Sequence, residues 1–235
     1  MIKAIIFDMD DTLYKEYDFV FGGFKAVSLY LSEKYKLSEN DVYKKILDIF
    51  YREGRGKIFN RIIDIYNLKE DINNLIDKYR FYKPKIELYD DAEEVLNWCK
   101  ENNIKTGIIT DGMSAVQWSK IKALKLEEKV DKIIVTDDFG REFWKPHTRA
   151  YKEMIKYFGI DGEEAIYVGD NPNKDFIGAK KLHYNTVRII REEGDHMNTK
   201  SSEDHGVDKM IKSLRALTKE KETSDEKIYY GVDRK

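Results

Sequence analysis

The sequence predicts an α/β protein: a Rossmann-like, doubly wound parallel sheet core with an inserted α-helical domain. Three observations carry this expectation. Four short Ile/Val-rich runs, AIIF (4–7), KTGIIT (105–110), KIIVT (132–136) and AIYVG (165–169), have the near-continuous apolar character of strands buried on both faces. From residue 86 onward such runs alternate with helical patterns, as βα units do. Between the first run and the others, residues 14–85 show helical periodicity and no strand pattern.

Taken in order, the first strand breaks without a linker into acids, IIFDMDDTLY (5–14). One Asp at a strand tip is ordinary turn chemistry. Asp8, Asp10 and Asp11 within four residues repel one another, so they are either solvated or bridged by positive charge. Helices follow over 18–35, with Val20, Phe24, Val27 and Leu31 on one face, over 38–53 with Ser38 as cap, and over 57–68 and 69–82. Pro84 marks the return to the sheet. Residues 90–102 place Ala92, Val95, Leu96 and Cys99 on one face, with Glu93 three residues after Asp90 as in a capping box. Further helices are expected at 114–126, 148–159 and 173–182, and a fifth, mixed strand at 186–190. The domains are then 1–13 with 86–217 for the core, 14–85 for the helical insertion, and 218–235 as a polar, mobile tail.

Composition narrows the partners. With 42 Lys plus Arg against 44 Asp plus Glu, the net charge of −2 carries no footprint for nucleic acid or an anionic membrane, so a small molecule is the expected partner. The N-terminal apolar run is too short for a signal peptide and no stretch is long enough to span a bilayer; a soluble, cytoplasmic protein is expected. The single cysteine, Cys99, reads as a small core residue. The single glutamine, Gln117, carries no functional reading.

Ligands of open α/β sheets bind at the carboxyl ends of strands. Those ends supply Asp8 and Asp10, then Thr110, Asp111 and Gly112, then Asp170 and Asp175, while Lys145 and Pro146 precede the helix leading into AIYVG. Asp8 and Asp10, two apart at an extended strand end, can address one space about 7 Å apart along the chain. FDMDDTL, IITDG, WKP and VGDNPNKDF, in that order, resemble the four-motif set of the haloacid dehalogenase-like superfamily over residues 1 to about 217, and the helical insertion resembles that family's small cap.

The resemblance implies that Asp8 is a nucleophile forming an aspartyl-phosphate, and that Asp10 protonates the leaving oxygen and later activates water. It also implies Mg²⁺ held by the Asp8 carboxylate, the Asp10 carbonyl and the Asp170 carboxylate, with Asp175 as a water-mediated ligand or support. Hard oxygen donors beside a phosphate suit that ion. Lys145 would neutralise Asp8 and a phosphoryl oxygen, and the Thr110 hydroxyl with amides around Asp111 and Gly112 would bind the others. The implied activity is a phosphatase on a small sugar, polyol or short-chain acid phosphate. A phosphomutase, a dehalogenase and a non-catalytic binding module are the alternatives.

Other residues read more plainly. Asp11 suits a turn or cap, Thr12 a loop-holding role, His147 a helix start, and Arg188 and Arg191 surface or structural positions. Asp111 stands where many family members carry Asn. Tyr14 and Tyr17 either line the entrance to the site or pack. In the insertion, Arg52, Arg55, Lys57 and Arg61 of YREGRGKIFNR (51–61) could meet an anionic or polyhydroxy substrate, or form a solvated loop.

Overall fold

The computed structural model describes residues 1–200 and 206–218. Six parallel strands form one sheet in the order β3-β2-β1-β4-β5-β6. They are β1 (Ala4–Phe7), β2 (Lys105–Thr110), β3 (Lys132–Val135), β4 (Ala165–Gly169), β5 (Asn185–Ile189) and β6 (Lys209–Ile211). The helices are α1 (Glu16–Tyr35), α2 (Glu39–Glu53), α3 (Ile58–Ile65), α4 (Ile72–Arg80), α5 (Asp90–Glu101), α6 (Ser114–Ala123), α7 (Arg149–Phe158) and α8 (Asp175–Lys180). The fold class is the expected one. β6, only three residues long, has no counterpart among the expected strands because KMI is too short to show a period.

The chain divides into two compact units, residues 1–16 with 86 onward, and residues 17–85. The first boundary falls three residues later than the expected 13/14. Tyr14 is fully buried and bridges Asp10 and Leu88, so the chain has not yet left the sheet unit there. In that unit Ile6, Ile109 and Tyr167 from the sheet pack with Tyr151 and Met154 of α7 and Phe176 of α8. Residues of α5 pack on β2 as well, burying Val95, Leu96 and Cys99. The helical unit has its own core, in which Val20, Phe24, Val27 and Leu31 of α1 meet Val42, Ile46 and Phe50 of α2, Ile58 and Ile62 of α3, and Leu75 of α4. The Ser38 hydroxyl caps α2 by accepting from the Asp41 amide. Among the described residues no helix is long and apolar enough to cross a membrane. The expected tail lies outside the described residues beyond Thr218.

Sheet order decides where a ligand can sit. β1 pairs with β2 on one side and β4 on the other, so the order of winding reverses between β1 and β4, and a crevice opens at their carboxyl ends. Phe7 pairs with Val168, and the Asp8 amide still donates to the Val168 carbonyl at 2.8 Å. Register alone thus brings Asp8 beside the residues that follow β4.

The capping box expected at α5 is not formed: no side chain caps this helix, and Glu93 pairs with Lys129 at 2.8 Å. Its neighbour Asp91 is the structural acid instead. One buried Asp91 oxygen accepts from the Arg191 guanidinium (2.8 Å), the Ser213 hydroxyl (2.9 Å) and the Leu214 amide (2.8 Å), tying α5 to the last described segment. Arg191 also donates to the Thr12 carbonyl at 2.6 Å, so it is buried structure rather than surface. Burial pushes the Asp91 carboxyl up, but Arg191 and the other donors outweigh it and hold it below the ordinary carboxylate range. Its stabilisation is therefore complete above about pH 4 and is lost as the pH falls through the depressed value. Asp91→Asn is expected to cost about 2–4 kcal/mol in urea unfolding at neutral pH and to flatten the acid side of the stability profile.

Candidate active site

Three carboxylates meet at the switch point. Asp8, one residue past β1, Asp170, one residue past β4, and Asp175, the first residue of α8, are all buried and offer oxygens within 4.8 Å of one another. Asp175 reaches this position because Gly169 has no side chain: a Cβ there would stand 2.5 Å from Asp175 Oδ2. That oxygen accepts from the Asn171 amide at 2.8 Å, and the Tyr151 hydroxyl donates to the Asp175 carbonyl at 2.7 Å.

Lys145 supplies the charge among them. Its ammonium is buried, 2.5 Å from Asp8 Oδ1 and 2.8 Å from Asp175 Oδ1, and it donates to the Tyr167 hydroxyl at 3.1 Å. Burial opposes a charged amine, yet Asp175 and Asp8 outweigh it and raise the Lys145 pKa well above its ordinary value. The acids are less well served. Burial, opposed by Lys145 and reinforced by Asp175, pushes Asp8 up to about 7. Burial followed by the charges of Asp175 and Asp8 pushes Asp170 well above the usual range.

Among the described residues Lys145 pairs with Asp8 and Asp175 but not with Asp170, so the three acids outnumber the ammonium among them by two. Asp175 Oδ1, although close to Lys145, has no well-aligned hydrogen bond. A hard divalent cation fits this donor set in both charge and ligand type.

Asp111 and Asp10 behave differently from the trio. The Asp111 carboxylate accepts from the Thr136 hydroxyl (2.7 Å) and the Lys145 amide (3.0 Å), and its second oxygen pairs with Lys174 at 3.4 Å. The charge it introduces in place of an Asn is thereby matched, by a lysine for which the sequence reading had no role. Asp10, two residues beyond Asp8, is held from α6. Its Oδ1 accepts from Lys120 (2.7 Å) and the Tyr14 hydroxyl (2.5 Å), and its Oδ2 from Gln117 (2.9 Å). Burial raises its pKa, but Lys120, Tyr14 and Gln117 outweigh burial and the net shift is downward. Gln117 also donates to the buried Thr110 hydroxyl oxygen at 2.6 Å. Gly112 completes this corner with φ +129, its missing Cβ lying 3.1 Å from the Gln117 side chain.

Tyr14 is therefore buried against Asp10 and does not line an entrance. Tyr17 packs in the helical unit against Phe21 and Phe50. Thr12 holds the loop with its carbonyl, through Arg191, while its buried hydroxyl has no hydrogen-bond partner among the described residues. Arg188 is buried and donates to the Asp170 carbonyl at 3.2 Å. His147 accepts from the Arg149 amide at the start of α7. Within the helical unit Arg52 pairs with Asp48, Arg61 pairs with Glu53, and Arg55 lies 5.7 Å from the Tyr17 ring. Arg55 and Lys57 border a concavity of about 190 Å³ with Tyr79 and Arg80.

A doubly wound sheet with an acidic, oxygen-rich centre at its switch point is the layout of an α/β enzyme built to handle an anion beside a cation. The chain belongs to the haloacid dehalogenase-like hydrolase family, whose sequence model matches residues 5–189. It is 30% identical to a glyceraldehyde 3-phosphate phosphatase of Methanocaldococcus jannaschii, over 92% of this chain and 96% of that one. It is 25% identical to a ribulose-1,5-bisphosphate 5-phosphatase of Halopiger xanaduensis, over 88% and 96%. Among solved structures, a haloacid dehalogenase-like phosphatase from Thermococcus onnurineus matches with TM-score 0.60 and 27% identity, over 93% of this chain and 97% of that one. Family, fold and relatives together support a phosphatase of this family.

Because Lys145 is the only ammonium within ion-pair distance of Asp8 and Asp175 among the described residues, Lys145→Met is expected to cost about 3–5 kcal/mol in chelator-treated protein. Adding Asp8→Asn to that variant should recover part of the loss in urea unfolding. Equal stability of Lys145→Met and wild type would contradict this account of the cluster.

Proposed function

We propose that the protein is a Mg²⁺-dependent phosphatase that hydrolyses a small phosphorylated metabolite, a sugar, polyol or short-chain acid phosphate, through an aspartyl-phosphate on Asp8. The carrying observation is the buried Asp8, Asp170 and Asp175 cluster, two of whose members pair with Lys145, with Asp10 two residues from the nucleophile and held by a separate cation. The relatives named above act on phosphate esters of three- and five-carbon compounds, which supports a small polyhydroxylated ester here.

In this reading Asp8 attacks phosphorus, the phosphorus–ester oxygen bond breaks, and the departing oxygen takes a proton from Asp10. Water then attacks the aspartyl-phosphate. Asp10, as carboxylate, removes a water proton; the bond from phosphorus to Asp8 breaks, releasing inorganic phosphate and the Asp8 carboxylate. Asp10 thereby regains the proton used in the next turnover. The donors on Asp10 favour the carboxylate, the form that the water step needs.

Lys145 and the Thr110 hydroxyl stabilise phosphoryl oxygens, with amides around Asp111 and Gly112 as further donors. Asp111 itself acts by holding the Lys145 backbone and pairing with Lys174. The Asp8 and Asp170 carboxylates and the Asp10 carbonyl would hold Mg²⁺, with Asp175 in support. When bound, that ion offsets the repulsion between the phosphate dianion and the acids.

Asp8→Asn is expected to lower phosphate release by a factor on the order of 10⁴ or more, measured with a panel of triose, pentose and polyol phosphates. Chelation should abolish turnover of the wild type and Mg²⁺ should restore it. A rise in melting temperature with Mg²⁺ should shrink in Asp170→Asn, which reads the metal site without turnover. Undiminished phosphate release by Asp8→Asn, or by metal-free protein, would exclude the mechanism.

A further inference from the structure

Two buried polar side chains of α6 stand outside the family motifs read above. Gln117 and Lys120, three residues apart on one helical face, are 2% and 4% exposed. A buried lysine requires a partner, and Lys120 finds Asp10 at 2.7 Å.

Gln117 does more than fill space. Its Nε2 lies 2.9 Å from Asp10 Oδ2 and 2.6 Å from Thr110 Oγ1. The amide NH₂ of Gln117 thus donates one hydrogen to Asp10 Oδ2 and its second to the Thr110 oxygen. With that oxygen already accepting, the Thr110 hydroxyl proton is directed to another acceptor. One amide therefore fixes the geometry of Asp10 and the polarity of Thr110 together.

The helix carrying them is itself pinned. The Ser114 amide at its start donates to Asp137 at 2.8 Å, and the Trp118 indole donates to Asp138 at 3.1 Å, both acids lying in the turn Thr136–Phe139 after β3. Asp137 also accepts from the Trp144 indole at 3.0 Å, next to Lys145. Rotation of α6 is thus constrained at its first turn, and Gln117 and Lys120 reach Asp10 from a fixed base.

We propose that Gln117 and Lys120 are positioning residues for the acid/base of the reaction: from one face of α6 they hold the Asp10 carboxyl group where it meets the leaving oxygen, while Gln117 turns the Thr110 proton toward a phosphoryl oxygen. This rests on the phosphatase reading given above. The step concerned is transfer of the Asp10 proton to the ester oxygen as the bond from that oxygen to phosphorus breaks and the bond from Asp8 Oδ to phosphorus forms.

A leaving group that departs well as an anion needs little proton delivery, whereas an alkoxide needs it fully. The test compares kcat/KM, which reports the first displacement, for 4-nitrophenyl phosphate and glycerol phosphate with Mg²⁺. Gln117→Met and Lys120→Met are expected to lose about 100-fold or more on the alkyl ester and less than about 10-fold on the aryl ester. The loss should fall in kcat rather than KM, and Lys120→Arg should recover most of it. Merely structural damage would lower both esters alike.

If the methionine variants do not fold, Gln117→Glu retains the side-chain length, and the same discrimination between esters is expected of it. Asp10→Asn separates the two layers of the argument. Discrimination by Asp10→Asn but not by the α6 variants overturns the positioning role alone. No discrimination by Asp10→Asn overturns the acid role and the positioning role together.

Discussion

Asp8 and Asp175, the acids that follow β1 and open α8 at the carboxyl edge of the sheet, are arranged around one buried ammonium. Lys145 lies among Asp8, Asp175 and the Tyr167 hydroxyl, with the Asp111 carboxylate holding its backbone amide. Carboxylates this deeply buried are costly unless paired and hydrogen-bonded. Their proximity depends on features far apart in sequence: the register that sets Asp8 beside β4, the missing side chain at Gly169, and the Tyr151 hydroxyl under the start of α8. Loss of any of these separates charges that one lysine now serves.

A second cation divides the work between neighbouring acids. Asp8 is buried around Lys145 and its pKa is raised to about 7 by burial, whereas Asp10 is bound by Lys120, Tyr14 and Gln117 strongly enough to overcome burial and move down. Two acids separated by one residue thus sit in environments that push their protonation in opposite directions, which is how a pair of carboxyl groups acquires two roles. In the proposed mechanism, raising Asp8 opposes its attack, since the attacking form is the carboxylate, and a cation held by the cluster would relieve that opposition.

Backbone order is legible in the sequence wherever a period is long enough to read. The four buried strands, the helical unit with Val20, Phe24, Val27 and Leu31 in its core, and the Ser38 cap follow from spacing. The trio at the switch point is legible because strand ends are. What periodicity cannot supply is the partner of a buried polar residue. SAVQWSKIKA reads as a mixed helix, and only the fold reveals that Gln117 and Lys120 face inward against an acid 107 and 110 positions away. Asp90 and Glu93 have capping-box spacing, yet the cap position falls at Tyr89, one residue before Asp90, and Glu93 pairs with Lys129. For Arg191 the sequence leaves surface and structural positions open, and the fold buries it where Asp91 and the Thr12 carbonyl both accept from it.

The third acid of the opening motif shows why equal charge does not mean equal role. Asp11 has φ +50, a conformation that Asp tolerates better than most residues, and its two oxygens are committed to backbone amides, Glu16 at 2.9 Å and Asp195 at 3.0 Å. Glu16 is the first residue of α1, where the chain departs for the helical unit, and the Tyr14 bridge to Leu88 secures the point of return. Burial raises the Asp11 carboxyl while those two amides oppose it. Asp8 faces Lys145, Asp10 faces Lys120, and Asp11 faces the backbone. Repulsion among the three is therefore met not by one shared counter-charge but by three separate partners. That separation lets a single loop present Asp8 and Asp10 at the sheet edge and close the turn leading into the insertion.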